Sequence, residues 1–386
     1  MEGAHLSTGT PVASGGPLHQ PSAGPPPRSG EEHGKPILIT GGAGFIGSNL
    51  ADRLLFDGHR VRLYDALARD GVERNVDWLR SRHGDRVELI RADVRDRVRL
   101  SEAAADAQAV FHFAAQVAVT TSMADPRDDL ETNILGTFNL LEALRERGGA
   151  VPLIFASTNK VYGDLADLDF ALEGEAYVPV DASVRAHGIG EDRPLDFHTP
   201  YGVSKGAADQ YVLDYARSFG VPTAVLRMSC IYGRGQMGTE DQGWVAHFLI
   251  RALEGKPITL YGDGHQVRDI LDVSNAVDAY VQAWRRIDEV QGRAFNLGGG
   301  PDNAVSLRQL LAHIADITGR EVDLSFSDWR AGDQRYFVAD TRAADAALGL
   351  RPKVSWREGV EGLACWLAAE RCLNMPVPAA VLQAAE

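Results

Sequence analysis

Tyr201 and Lys205 place a phenol and an ammonium group four residues apart at the start of a predicted helix over residues 201–219. Residues four apart share one face of a helix, so the two side chains are expected to be neighbours. A lysine charge within ~4–6 Å lowers the pKa of a phenol by about 1–3 units. The spacing therefore predicts a tyrosine that exchanges a proton with a hydroxyl group, although a buried tyrosine beside a solvated lysine gives the same pattern.

The glycine-rich segment 41–47 separates a short apolar run from a stretch with apolar residues at helical spacing. In such a strand, turn and helix, the glycines permit a tight turn, let the backbone approach a pyrophosphate and let the helix pack on the strand. The free N–H groups at the helix N-terminus attract the anion. We therefore predict a dinucleotide site at Gly41, Gly44, Phe45, Ile46 and Gly47.

Asp65 follows the second predicted strand, residues 60–64, and lies eighteen residues after Gly47. A carboxylate at this place accepts hydrogen bonds from the hydroxyls of an adenosine ribose and repels a 2'-phosphate. Asp65 thus favours NAD over NADP, unless it only caps a turn. Arg62 would favour NADP instead if its side chain faced the cofactor.

Strand-like runs and helical stretches alternate as far as residue 228, which predicts an α/β fold with a doubly wound parallel sheet (Rossmann). The predicted strands are 35–40, 60–64, 87–90, 109–113, 151–156 and 222–228, and the predicted helices are 48–57, 98–105, 129–147 and 201–219. Loops after such strands reach the ligand edge of the sheet. Asp93 and Val94 are therefore expected near the adenine, and Ala114, Ala115 and Gln116 near the cofactor backbone.

The interval 163–199 is rich in Asp, Glu, Pro and Gly and shows little periodicity, so we interpret it as a lid or a subunit contact. After residue 228 the predicted elements become shorter, as in a smaller, discontinuous α/β substrate lobe. The predicted organisation is a disordered tail over 1–34, a mainly NAD-binding domain over 35–228, and a mainly substrate-binding lobe over 229–386 with some return to the sheet.

The composition narrows the classes of partner. A formal net charge of -14 and a pI near 5.3 argue against nucleic acid and anionic membranes, and no apolar run has the length of a membrane span. The three cysteines, Cys230, Cys365 and Cys372, lack metal-ligand spacing. We therefore expect no metal, reduced core thiols and a cytoplasmic location. Residues 1–34 have the Gly/Pro-rich, apolar-poor composition that is typical of disorder.

With the glycine turn, Thr158, and Tyr201 with Lys205 in this order, the chain resembles the extended short-chain dehydrogenase/reductase superfamily over about residues 36–370. More closely, it resembles the CDP-tyvelose 2-epimerase family, also called CDP-paratose 2-epimerases. The resemblance is found in these sequence motifs: S-T-N-K-V-Y-G-D at 157–164, L-D-F-H at 195–198, Y-G-V-S-K-G-A-A-D-Q-Y-V-L-D-Y-A-R at 201–217, D-Q-G-W at 241–244, Q-V-R-D at 266–269, and D-Q-R at 333–335.

The resemblance implies that a nucleotide sugar is reversibly oxidised. Tyr201 would take the proton of a sugar hydroxyl while hydride passes to NAD, Thr158 would hydrogen-bond the same oxygen, and Lys205 would lower the pKa of Tyr201 and hold the nicotinamide ribose. Dehydratases of the superfamily carry Asp and Glu after this threonine, whereas this chain carries Asn159 and Lys160. We therefore expect an epimerase whose NAD stays tightly bound and is regenerated in each turnover.

The resemblance also implies a site for a CDP-linked deoxysugar, namely CDP-paratose or CDP-tyvelose, inverted at carbon 2. Arg268 and Arg335 are expected to converge on the diphosphate, because guanidinium groups bind phosphate oxygens in pairs. Further residues expected at the substrate are Thr120, Thr121, Asn159, Gln242, Trp244, Tyr261 and Asp333, and Asn133 is expected at the cofactor. Asn133 also has a structural explanation, as a helix residue. The D-Q-G-W motif that contains Gln242 also has one, as a helix cap.

Three alternatives remain open from the residues alone. The protein is another nucleotide-sugar epimerase, acting at carbon 4, or a net NAD(P)-dependent sugar dehydrogenase or reductase, or a dinucleotide sensor without catalysis. A sensor would be expected to lack part of the triad of Thr158, Tyr201 and Lys205, which is complete here. We expect a homodimer or homotetramer that is joined through the helices over 129–147 and 201–219.

Overall fold

The computed structural model describes residues 34–148 and 150–373. Apart from Gly34, the predicted tail over 1–34 lies outside these residues. Within them, the strands are β1 (Ile37–Thr40), β2 (Val61–Asp65), β3 (Val87–Arg91), β4 (Ala109–His112), β5 (Leu153–Thr158), β6 (Phe170–Glu173), β7 (Ala176–Pro179), β8 (Thr223–Met228), β9 (Cys230–Tyr232), β10 (Ile258–Tyr261), β11 (Val267–Asp272), β12 (Arg293–Leu297), β13 (Ala304–Ser306), β14 (Leu324–Ser327) and β15 (Tyr336–Phe337).

The α-helices of the same residues are α1 (Phe45–Phe56), α2 (Glu73–His83), α3 (Arg97–Ala104), α4 (Val119–Ala124), α5 (Pro126–Leu130), α6 (Gly136–Glu146), α7 (Ala182–His187), α8 (Thr199–Phe219), α9 (Trp244–Leu253), α10 (Val273–Arg285), α11 (Ile287–Val290), α12 (Leu307–Thr318), α13 (Arg342–Leu348) and α14 (Trp356–Glu370). None of these helices is long and apolar enough to cross a membrane.

Seven of the strands form one parallel sheet, in the order β12-β8-β5-β4-β1-β2-β3. All residues of β1, β4 and β5 are buried, because helices cover both faces of the sheet and the strands read as continuous apolar runs. The order of the strands reverses between β1 and β4. At such a point the loops at the carboxyl edge open a crevice that binds ligands. The prediction of a doubly wound parallel sheet is confirmed.

Two hydrophobic cores sandwich this sheet. On one face, Leu50 and Leu54 of α1 pack in a cluster with Val277 of α10. On the other face, Leu140 of α6 and Val212 of α8 pack in a second cluster. The helix that carries Tyr201 is thus held against the sheet by its own apolar stripe.

The helical region before Leu153 differs from the single helix that was predicted over 129–147. Here α5 passes through a π-helical turn, Glu131–Leu135, into α6. A π-turn inserts an extra residue into the helix and is frequent at functional sites. Helix α2 was not predicted from the sequence, because its residues are mostly charged and polar.

The second lobe has its own core, in which Leu249 of α9, Leu310 of α12 and Leu363 of α14 pack together. It contains β10 paired with β14, and β11 paired with β9, β13 and β15. The chain leaves this lobe through α10 and α11 to add β12 to the edge of the large sheet beside β8, and α13 later packs on the same sheet.

The interval 163–199 is more regular than its composition predicted. It contains the antiparallel hairpin of β6 and β7, followed by α7. The hairpin is fixed to the second lobe where Tyr177 N donates to His265 O at 3.0 Å, and the segment after α7 is fixed where Ile189 N donates to Val338 O at 2.7 Å. Backbone hydrogen bonds to neighbouring segments therefore supply the order that sequence periodicity did not indicate.

The three cysteines are free thiols. Cys365 is buried and Cys230 is partly buried, but Cys372 is exposed, so the expectation of core thiols is wrong for Cys372. Its place just after α14, at the surface of the second lobe, explains the exposure.

Candidate active site

The glycine turn after β1 brings three backbone segments together. Gly41 has a φ of 69°, and a Cβ there would lie 2.6 Å from Ala114 N. A Cβ on Gly47 would lie 2.4 Å from Gly41 O. Residues 44–46 begin α1 without a side-chain N-cap, so its N-terminus can receive an anion. The turn therefore fits the pyrophosphate of NAD, since any larger residue would fill the space that the backbone needs.

Asp65 stands beside this turn at the end of β2. Its Oδ2 accepts a hydrogen bond from Ala43 N at 3.0 Å, and its Oδ1 accepts one from Leu67 N at 2.9 Å. Burial raises the pKa of Asp65. Arg62 instead binds Glu88 on β3 at 2.8 Å. The NADP alternative, which needed Arg62 to face the cofactor, loses its support.

Asp93 and Val94 follow β3 and are held by protein contacts. The Asp93 carboxylate binds Arg95 at 2.6 Å, which lowers its pKa, and the Asp93 carbonyl accepts from Tyr64 Oη at 2.8 Å. Val94 is buried, and its side chain would meet a Cβ on Gly136 at 2.6 Å. The structure thus places both residues at the ligand edge but commits the Asp93 carboxylate to an ion pair.

The π-turn Glu131–Leu135 directs Asn133 at the segment after β4. Asn133 Oδ1 accepts from Gln116 N at 2.9 Å, and Asn133 Nδ2 donates to Gln116 O at 3.0 Å and to Ser204 Oγ at 3.0 Å. Asn133 therefore ties the backbone at Gln116 to the helix that carries Tyr201. These contacts give Asn133 the structural role that the sequence left open.

Asp129, which the sequence analysis missed, completes this cluster. It is buried, and its Oδ1 accepts from Gln116 Nε2 at 2.8 Å and from Asn133 Nδ2 at 3.2 Å. Burial raises its pKa. Asp129 lies four residues before Asn133, a spacing that places both on one helix face, and this spacing was the only indication of the contact in the sequence. Ala114 and Ala115 are partly buried in the same segment.

Tyr201 on α8 and Thr158 at the end of β5 are brought together, close enough for the Thr158 side chain to influence the phenol. Both residues are buried, with 9% and 7% exposure. Tyr201 N donates to Ser122 Oγ at 3.2 Å, which fixes the start of α8. Burial raises the pKa of Tyr201 to about 12, and the neighbouring Thr158 opposes that rise.

Lys205 lies one turn after Tyr201 and is also buried. Its Nζ lies 4.2 Å above the ring of Phe155, and burial lowers its pKa to about 7. Among the charged groups of the protein, Arg69 lowers the pKa of Tyr201, but desolvation of the phenol outweighs it. The expectation that Lys205 lowers this pKa stays a prediction.

Arg69 is a second residue that the sequence analysis missed. It interacts electrostatically with Asp65 and with Tyr201, so it spans the two ends of the predicted NAD groove. Its Nη1 donates to Gln242 Oε1 in the second lobe. A basic residue four positions after Asp65 was the only signal in the sequence.

A buried ion pair lies behind Lys205. Arg227 of β8 binds both carboxylate oxygens of Asp209 at 3.0 Å, and Ser157 Oγ donates to Asp209 Oδ2 at 2.7 Å. Arg227 Nη1 also donates to Tyr162 Oη at 3.0 Å. This network joins α8 to β5 and β8, so it fixes the distance between the helix of Tyr201 and the strand of Thr158.

Asn159 and Lys160 follow Thr158, and both are engaged inside the protein. Asn159 Oδ1 accepts from Thr158 Oγ1 at 3.3 Å, and Asn159 Nδ2 donates to Gln334 Oε1 at 3.1 Å. Lys160 Nζ donates to Gly332 O at 3.0 Å. The predicted substrate contact at Asn159 thus lies in a site where both ends of the amide already have protein partners.

The two arginines that were predicted to bind the diphosphate do not share a contact. Arg268 is buried, and its Nη2 binds Asp333 Oδ1 at 2.6 Å. Lys160 Nζ lies 3.9 Å from the same oxygen. Arg335 is exposed and stacks over the ring of Tyr177 at 5.6 Å. The structure therefore places Arg268 with Asp333, and Arg335 on the hairpin.

Arg330, a third missed residue, lies beside Tyr261, one of the residues predicted at the substrate. Its guanidinium is 3.8 Å above the ring of Tyr261 and donates to Glu240 O at 3.1 Å. Asp333 N donates to Arg330 O at 3.2 Å, so a turn links this arginine to the partner of Arg268. The sequence did not distinguish Arg330 from the other arginines of the second lobe.

The other residues that were predicted to contact the substrate differ in their burial and in their partners. Trp244 begins α9 and donates from Nε1 to Cys230 Sγ at 3.3 Å. Gly243 is the N-cap of α9, so the helix cap proposed as an alternative role for Gln242 is not needed. Thr120 and Thr121 are exposed on α4.

Comparison with known proteins places this site in a family. The family model described as "NAD dependent epimerase/dehydratase family" matches residues 37–298. A CDP-paratose 2-epimerase of Salmonella typhi is 41% identical, over 86% of this chain and 99% of that protein. Crystal structures of UDP-glucose 4-epimerases are also similar: that from Thermotoga maritima, with UDP-glucose, has a TM-score of 0.74 and 30% identity over 87% of this chain and 99% of its own.

The UDP-glucose 4-epimerase of Thermus thermophilus, solved as a complex with NAD, has a TM-score of 0.71 and 33% identity, over 86% of this chain and 98% of its own. These likenesses extend over both lobes, and the glycine turn with Asp65 suits NAD as the cofactor. The chain therefore belongs to the NAD dependent epimerase/dehydratase family.

Proposed function

We propose that the protein is an NAD-dependent nucleotide-sugar 2-epimerase that interconverts CDP-paratose and CDP-tyvelose. The observation that carries this proposal is the buried pair of Thr158 and Tyr201. Asn159 and Lys160 follow Thr158, where an elimination would need a carboxylate pair. Such a site can remove and return hydrogen at a sugar carbon but lacks the acid and base for losing water. The choice of carbon 2 is supported by the relative that is 41% identical.

The residues of the chain supply the proton transfer and the geometry. Bound NAD supplies the hydride acceptor and a positively charged ring. Tyr201, whose pKa burial raises to about 12, needs positive charge nearby to act as a phenolate. Arg69 lowers this pKa, and we assign the same role to Lys205, which lies one turn further along α8. Thr158 holds the reacting oxygen beside the phenol. Between the two half-reactions the keto-sugar must turn over, so that hydride returns to the opposite face of the carbon while Tyr201 returns the proton to the oxygen.

The predicted contacts with cofactor and substrate remain part of this proposal, with one revision. We assign the diphosphate to Arg268 and Arg330 rather than to Arg268 and Arg335. Arg330 is supported by its turn contact with Asp333 and by its stacking on Tyr261, whereas Arg335 lies over the hairpin. The proposed domain division also stands, with residues 35–228 mainly for NAD and the later residues mainly for the nucleotide sugar.

We further propose a homodimer in the cytoplasm. The free thiols suit a reducing compartment. Two neighbouring helical segments expose a run of large apolar side chains: Met123, Leu130, Leu135 and Phe138 on one, and Val203, Tyr211 and Phe219 on the other. The rings of Phe138 and Tyr211 lie 6.1 Å apart, so the apolar groups form one patch across both segments. A patch of this kind marks a protein interface, and a second copy of the chain is its proposed occupant.

Tyr201→Phe and Lys205→Met are expected to reduce turnover by about 10²–10⁴-fold, because each removes a group that acts at the proton transfer. Both changes keep the size of the side chain, so melting temperatures should stay close to that of the parent. The measurement is turnover of CDP-paratose by the NAD-loaded protein. Tyr211→Phe, on the same helix, is the control that should retain activity, and near-parental activity of Tyr201→Phe would remove the mechanism.

Arg268→Ala and Arg330→Ala are each expected to weaken binding of CDP by roughly 1.5–3 kcal/mol, the contribution of a hydrogen bond to a charged group. Titration calorimetry with CDP measures this loss. Arg335→Ala is the matched comparison and should bind CDP as the parent does. Strong binding by Arg330→Ala together with weak binding by Arg335→Ala would restore the original assignment.

Substrate that carries deuterium at carbon 2 is expected to give epimerised product with its label retained in ordinary water. The reason is that the hydrogen leaves and returns as hydride, which does not exchange with solvent. Mass spectrometry of both sugars gives the answer. Loss of label would indicate a base-catalysed inversion. A keto-sugar product with free NADH would indicate a dehydrogenase. Epimerisation at carbon 4 would contradict the assignment of carbon 2 as the inverted carbon.

Tyr211→Glu is expected to produce a monomer in sedimentation experiments, since a charge buried in an apolar interface without a partner is strongly unfavourable. Phe56→Glu provides the control, because Phe56 is 71% exposed on α1 and lies outside the patch. Dimers of Tyr211→Glu that are as stable as the parent's would show that another surface is used.

A further inference from the structure

A pair of side-chain amides links the end of β5 to the second lobe. Thr158 Oγ1 donates to Asn159 Oδ1 at 3.3 Å, Asn159 Nδ2 donates to Gln334 Oε1 at 3.1 Å, and Gln334 Nε2 donates to Gly163 O at 2.6 Å. Asn159 is 8% exposed and Gln334 is fully buried. The Thr158 hydroxyl, which lies beside Tyr201, is therefore the first member of a buried chain that crosses between the lobes.

The direction of every bond in this chain follows from its last member. The carbonyl of Gly163 can only accept, so Gln334 must turn its NH₂ group toward it and its oxygen toward Asn159. Asn159 must then present its own NH₂ group to Gln334, which leaves Oδ1 facing Thr158. An aspartate at position 159 has no hydrogen to donate to Gln334 when it is ionised. The site thus requires an amide at this position.

The residues around Gln334 also hold the other end of the substrate site. Asp333 binds Arg268 at 2.6 Å, and Gly332 O accepts from Lys160 Nζ at 3.0 Å. Three consecutive residues, 332–334, therefore contact the two residues after Thr158 and the arginine assigned to the diphosphate. A displacement of this loop would move the reacting end and the nucleotide end of the site together.

We propose that Asn159 and Gln334 are positioning residues, which hold the Thr158 hydroxyl against Tyr201 and connect it to the loop that carries Asp333. The proposal replaces the predicted substrate contact at Asn159 with a role that acts through Thr158. It rests on the proposed function only in taking Thr158 and Tyr201 as the site where the sugar is oxidised.

Asn159→Asp separates positioning from simple stabilisation, because it keeps the volume and the acceptor for Thr158 but removes the donor to Gln334. We expect the rate at which substrate reduces the bound cofactor, followed by absorbance of the holoprotein, to fall by roughly tenfold to a hundredfold. Affinity for CDP alone should change little, because Arg268 and Asp333 are untouched. This split between rate and affinity is not expected of a general loss of folding.

Asn303→Asp is the matched control. Asn303 is equally buried, its Nδ2 donates to Val354 O at 3.0 Å and its Oδ1 accepts from Trp356 N at 2.8 Å, in a part of the second lobe away from Thr158. It should lower the melting temperature as Asn159→Asp does but leave the rate of cofactor reduction as in the parent. An equal loss of rate in both variants would assign Asn159 a structural role and overturn the proposal.

A double-mutant cycle gives the second test. Asn159→Ala and Gln334→Ala break the same link, so their combined loss of rate should be close to the larger single loss rather than to the product of the two. The proposal would be contradicted if the loss of rate in the double mutant equalled the product of the two single losses. It would also be contradicted if Asn159→Asp and Gln334→Ala kept rates within about threefold of the parent. All rates are measured with whichever nucleotide sugar the parent oxidises, CDP-paratose or UDP-glucose. If the parent oxidises only UDP-glucose, the proposed function is wrong while the positioning role is still decided.

Discussion

The geometry of the active site depends on the ion pair between Asp209 and Arg227, which is almost completely removed from water. A buried pair of charges is tolerated only when hydrogen bonds satisfy both partners, and loss of one partner costs about 3–5 kcal/mol. Ser157 and Tyr162 provide those hydrogen bonds here. Since Asp209 lies one turn after Lys205 on α8, the pair also offers a nearby negative charge to the lysine, whose pKa burial lowers to about 7.

Much of the fold could be predicted because its causes are local. Continuous apolar runs between glycine turns and amphipathic helices are properties of short segments, so the parallel sheet and the helix of Tyr201 were anticipated. The hairpin of β6 and β7 was not, because its strands are short and mostly half-buried or exposed, and it is held in place by a backbone bond from Tyr177 to the distant His265. The π-turn around Asn133 was also hidden, since its extra residue leaves a sequence pattern that resembles a regular helix.

The candidate site shows the same division between local and distant causes. Gly41, Asp65, Thr158 and Tyr201 follow from motifs whose spacing reflects the turn or helix that contains them. The choice between Arg330 and Arg335 does not, because the direction of a side chain in a loop is set by its partners, here the rings of Tyr261 and Tyr177. Burial likewise reversed the expected pKa of Tyr201, and burial is a property of the whole fold.

The late arrival of β12 in the central sheet affects how the protein can be made. Until residue 297 has been synthesised, β8 is an edge strand with unpaired backbone groups, which is the kind of edge that promotes aggregation. The whole segment between β8 and β12 must therefore emerge from the ribosome, and find its place beside the sheet, before that edge is covered. The second lobe is divided by this return to the sheet, because β9 to β11 precede β12 and β13 to β15 follow it. A fragment that ends after β8 would keep the glycine turn and Tyr201 but expose a sheet edge that the full chain protects.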